Sequence, residues 1–143
     1  MEAFAFGGQE RERLEVAISG YERASTGDYY DDNWVTADIS VQCGAFQGRF
    51  AAALLTHELQ TFHEQLASLY QSLSGSAAFG TLEGQLELSV TGDGRGHLRV
   101  TGQAMDQPGS PQRLAFEIAI DQTQLRQSLH GLAAVLEAYP VRD

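Results

Sequence analysis

Lysine is absent. All nine basic side chains of the 143-residue chain are arginines, set against nineteen acids for a formal net charge of −10. That absence excludes a P-loop lysine on phosphates, a Schiff base to a carbonyl or pyridoxal cofactor, and a Ser-Lys dyad. The acidic excess argues against nucleic acid as a partner, because such binding rests on neutralising phosphates with basic side chains. Cysteine is nearly absent too: Cys43 stands alone, which excludes an internal disulfide and a thiolate cluster for zinc and fits a reducing compartment. No apolar run approaches the ~18 residues of a membrane helix, and MEAFAFGGQE lacks the basic stretch and apolar core of a signal peptide. The expectation is a cytoplasmic protein with no membrane partner.

What is present is 43 % hydrophobic residues in the length of one ordinary domain. Residues 1–143 are therefore expected to form a single domain, with 1–10 as a weakly ordered N-terminal segment. The acids are unevenly placed: residues 1–74 carry eleven acids and four arginines, and residues 75–143 carry eight and five. A strong field of one sign speeds encounter with its opposite, so the partner it predicts is a basic polypeptide. The plain alternative is that the charge serves solubility alone.

Leu14, Val16 and Ile18 alternate with Glu15, Ala17 and Ser19, which predicts a strand over 11–22 with one buried face. The run WVTADISVQ predicts a second, with Val35, Ala37, Ile39 and Val41 on the core side, and a third ends near Leu54. The period then changes. Leu55, Leu59, Phe62, Leu66, Leu69 and Leu73 have helical spacing, so a helix over 55–74 is expected, capped by Thr56 and stopped by a left-handed Gly75. Leu82 to Val90 and Leu98 to Gly102 read as a hairpin around TGDGRGH, and Leu114 to Ile120 as a last strand. Asp121 with Gln124 forms a capping box for a helix over 122–138, ended by Pro140. The predicted class is α+β: a mostly antiparallel sheet of six or seven strands with two helices packed on it.

Candidate chemistry is thin. HELQTFH brings to mind the HExxH zinc motif, but His57 and His63 are six apart and fall on different helix faces, so no metal site is expected. No GxSxG elbow occurs, and Cys43 precedes a glycine in an apparent turn, so no catalytic residue is assigned and no cofactor is expected. TGDGRGH fails as a dinucleotide loop because a strand, not a helix, follows it; its glycines suit a hairpin turn. The loop GDYYDDNW differs from these because it joins acids to large rings. Tyrosine and tryptophan contribute much contact area at little conformational cost. Asp28, Tyr29, Tyr30, Asp31, Asp32 and Trp34 are the predicted partner-binding residues, unless some rings, Trp34 above all, fold back onto the core.

In order, DNWVTADISV, LLTHELQTFHEQLASLY, LEGQLELSVTGDGRGHLRVTG, LAFEIAIDQTQL and YPVR resemble the WapI-type immunity proteins of bacterial polymorphic toxin systems, or a related family of uncharacterised bacterial proteins. The resemblance runs from about Tyr21 to Arg142. It implies a cytoplasmic, non-enzymatic antidote that binds a cognate toxin polypeptide, typically a nuclease. Exposed strand edges leave both a monomer and a homodimer open. It supplies no catalytic residues. A competing reading of the residues alone is a small-ligand-binding or structural domain, which predicts an apolar pocket between sheet and helices.

Overall fold

The computed structural model describes residues 1–8 and 11–143. Its elements run β1 (Glu2–Gly7), β2 (Glu12–Tyr21), α1 (Tyr29–Asp32), β3 (Trp34–Cys43), β4 (Phe46–Leu55), α2 (Thr56–Ser72), β5 (Ser74–Gly80), β6 (Leu86–Asp93), β7 (His97–Met105), β8 (Arg113–Asp121) and α3 (Gln122–Ala138). The class is α+β, but the single sheet expected from sequence divides in two. Strands β1-β2-β3-β4 form one antiparallel sheet and β5-β6-β7-β8 another, each strand pairing with the next in sequence. Helix α2 carries the chain from the first sheet to the second.

The count of eight strands and three helices among the described residues corrects the six or seven and two expected. Strand β1 occupies most of the segment expected to be weakly ordered; residues 9 and 10 of that segment lie outside the described residues. Phe4 and Phe6 point inward and anchor it. Strand β5, SGSAAFG, has no β-branched residue and reads locally as a loop; pairing with β6 and two inward side chains, Ala77 and Phe79, make it a strand. The third helix, α1, is a single turn that sequence periodicity cannot register.

Alternation places the core. Val35, Ala37, Ile39 and Val41 of β3, and Phe116, Ile118 and Ile120 of β8, are buried, while Thr36 and Glu117 on the opposite faces are exposed. Both sheets and both long helices feed one hydrophobic cluster. Neither helix caps a sheet's polar outer face. Helix α3 lies along β1, where the Ser128 hydroxyl donates to the Ala5 carbonyl at 2.5 Å, and α2 lies along β5, where the Gln65 side-chain oxygen accepts from the free Ala78 N–H at 2.8 Å. The helices also pack on each other. They thereby cover one edge strand of each sheet, which removes two otherwise open rows of backbone donors and acceptors.

Helix α2 begins one residue from the expected place. Leu55 is its N-cap, with its N–H bonded to the Glu58 carboxylate at 3.1 Å, and Thr56 is the first helical residue. At the other end the helix stops on Leu73, φ 60°; Gly75 does have a positive φ, 97°, but it falls inside β5 rather than at the helix end. The TGDGRGH turn is a β6–β7 hairpin, as its glycines suggested. Asp93 organises it by accepting from the N–H groups of Arg95 at 2.7 Å and His97 at 3.2 Å, and those bonds hold its carboxyl below the ordinary range.

Candidate functional site

The loop from Glu22 to Asn33 leaves β2 and returns to β3, and its acids do two different jobs. Asp28 caps α1, its side chain accepting from the Asp31 N–H at 3.0 Å, and Asp31 stays exposed beside Arg23 at 3.3 Å. Asp32 turns inward and is 0 % exposed. Its carboxylate accepts from the Thr26 N–H and hydroxyl at 2.9 Å, the Gly27 N–H at 2.7 Å and the Ser25 hydroxyl at 3.3 Å. Desolvation pushes this carboxyl up, but those donors together outweigh it and lower it to about 2. Asp32 is therefore withdrawn from the expected contact surface and becomes the anchor beneath it.

The rings divide in the same way. Tyr29 and Tyr30 are 44 % and 61 % exposed, packed edge to face with centroids 5.5 Å apart. Trp34, at the start of β3, is half-buried. Sequence reasoning missed His57, in the first turn of α2. Its ring stacks on Tyr29 at 5.4 Å and meets Tyr30 edge-on at 5.6 Å. Beside it, Glu58 is raised by desolvation against the pull of the Leu55 amide, the His57 ring and the Leu82 amide. Exposed Leu82 borders that carboxylate. The surface thus combines Asp28, Asp31, Tyr29, Tyr30 and His57, drawn from α1 and the start of α2.

One further residue holds the loop from below. Asn33 is buried and accepts from the Thr56 hydroxyl at 2.7 Å and the Arg142 N–H at 2.7 Å, while donating to the Tyr29 and Arg142 carbonyls. These bonds bring DNW and YPVR, far apart in sequence, into one cluster.

Among the described residues, nothing in the arrangement assembles a nucleophile. Burial and Glu12 raise the Cys43 thiol, which disfavours a thiolate. Asp93 and His97 meet at 3.2 Å on the exposed hairpin turn, with no serine or cysteine bonded to that imidazole among the described residues. No three His, Cys, Asp or Glu side chains gather as a metal site among those residues. A groove of about 510 Å³ lies over the outer face of β2–β4, lined by polar groups including Arg13, Glu15, Gln42 and Arg49, while apolar side chains of both sheets and both long helices form the core cluster. No helix among the described residues is long and apolar enough to cross a membrane.

Residues 5–140 match the family described as the Immunity protein WapI-like family, and the chain belongs to it. No curated protein matches the chain.

Proposed function

We propose that this member of the immunity family acts in the cytoplasm by binding a cognate toxin polypeptide directly and covering its working surface, without catalysis and without a cofactor. The observation that carries the reading is the adjacent pair Tyr29 and Tyr30, exposed on a loop whose backbone is fixed from beneath by Asp32 and Asn33. Rings held in place contribute contact area without losing rotamer freedom on binding. Asp28 and Asp31 flank them, so the complementary surface is basic. A nuclease toxin suits this chemistry, because its substrate-binding face is built for phosphates and a set of carboxylates can occupy it.

The test is calorimetric titration of the purified chain with the C-terminal domain of the toxin encoded beside its gene. Tyr30→Ala and Asp31→Arg are each expected to weaken binding at least about tenfold, the cost of losing an interface anchor. Unchanged affinity in both folded variants removes this surface from the interface. If the wild-type chain neither binds the domain nor protects cells expressing it, the immunity reading itself fails.

A further inference from the structure

We infer that Arg142 is a positioning residue for the tyrosine-bearing surface: the segment after α3 reaches back and locks the loop that presents Tyr29 and Tyr30. The inference rests on the binding role proposed above for those rings. Its geometry is independent of that role. The Arg142 guanidinium donates to the Asp32 carbonyl through Nε at 2.9 Å and Nη2 at 2.5 Å, and Nη2 also reaches the Arg23 carbonyl at 2.9 Å. Arg23 stands where the loop leaves β2, and Asp32 where α1 ends before β3. One planar fork therefore ties the two ends of the loop together and satisfies a carbonyl that the end of α1 leaves without a helical partner.

The rest of the segment aims that fork. The Arg142 main chain exchanges hydrogen bonds with the Asn33 amide, its N–H donating at 2.7 Å and its carbonyl accepting at 2.8 Å. The guanidinium lies over the Tyr21 ring, 3.6 Å from its centroid, and Tyr21 is held in turn by its hydroxyl on the Pro140 carbonyl and by edge-to-face packing on Tyr139 at 5.5 Å. Arg142 touches neither Tyr29 nor Tyr30 in this network; it fixes the backbone on which they stand. Lysine cannot replace it, since a point ammonium neither spans two carbonyls in one plane nor stacks as a guanidinium does. Arg142 also lies beyond the residues matched by the family.

Hydrogen exchange and binding together decide the matter. In Arg142→Ala and Arg142→Lys, amides of residues 24–33 are expected to exchange at least about tenfold faster, the scale of one lost charge-assisted hydrogen bond, while amides of the β6–β7 ladder keep their rates. Affinity for the toxin domain is expected to fall by about the same factor. In a Tyr29→Ala/Tyr30→Ala background, adding Arg142→Ala is expected to cost clearly less than it does in the wild-type chain, because the rings it positions are gone and only the flanking Asp28 and Asp31 remain to be displaced. Unchanged loop exchange overturns the inference, as does a uniform rise across both sheets. Losses that multiply fully in the triple variant also overturn it, since Arg142 would then contact the toxin on its own account. If the wild-type chain does not bind the toxin domain, the functional reading fails, and the exchange data still judge whether Arg142 positions the loop.

Discussion

Asp32 differs from its neighbour Asp31 in direction alone. Successive residues on a helical turn point about 100° apart, so one carboxylate of the pair meets solvent and the other enters the loop. The consequence can be read with pH. Asp32 falls from an ordinary 3.8 to about 2 in the folded protein, so its ionised form binds the loop better than its protonated form. A carboxyl depressed by folding contributes stability above its unfolded value, and that contribution disappears as pH falls through the folded value. Between about pH 4 and pH 2, wild-type protein should lose stability steeply while Asp32→Asn, already lower at neutral pH, changes less. Thermal melts of both across that window check this; parallel curves would place the loop's anchorage elsewhere. The density of acids and rings in GDYYDDNW marks this loop in the sequence, since both are properties of composition, and the structure leaves Tyr29, Tyr30, Asp28 and Asp31 of it exposed. Which acid turns inward depends on α1, too short to leave a period, and His57 and Arg142 join from elements whose distance along the chain encodes nothing about their meeting.

Where α2 hands over to β5, backbone approaches backbone. A Cβ at Gly92 would sit 2.3 Å from the Leu73 carbonyl oxygen, which already accepts the Gly94 N–H at 2.7 Å. Gly92 is glycine for space, to let the helix end rest on the hairpin. Gly80, at the end of β5, would place a Cβ with nothing within 4 Å of it and so offers a control. Gly92→Ala is expected to destabilise by about 1–3 kcal/mol, the range of a forced backbone shift, and Gly80→Ala to change stability by less than about 1 kcal/mol. Urea unfolding midpoints at matched slopes compare them; equal midpoints would mean that the junction gives way freely. Elements with large alternating or helically spaced residues, β2, β3, β8, α2 and α3, could be placed from sequence because burial of those side chains decides their form. Strands β1 and β5 could not, being built on alanine, glycine and two inward rings or fewer each, and dependent on a neighbour's ladder. The split into two sheets was hidden for a related reason: alternation reports which face is buried, not which strand lies alongside.

Charge belongs to no single contact. The chain carries −10 overall, and most of the excess lies in residues 1–74, the half that holds both α1 and the start of α2. A field of that size acts on a basic partner before contact, over roughly the Debye length of 10 Å at 0.1 M salt. On the binding role proposed for them, the rings act only after contact. Association and dissociation should therefore respond differently to ionic strength: raising salt from about 0.05 to 0.5 M is expected to slow association with the toxin domain by about tenfold or more while dissociation changes by less than about threefold. Tyr30→Ala should show the reverse, a faster dissociation with little change in association, because an anchor lost from the centre of a patch is felt once the partners are docked. Stopped-flow or surface-based kinetics across a salt series separates the two. An association rate indifferent to salt would leave the acidic surface to solubility and the recognition to the rings.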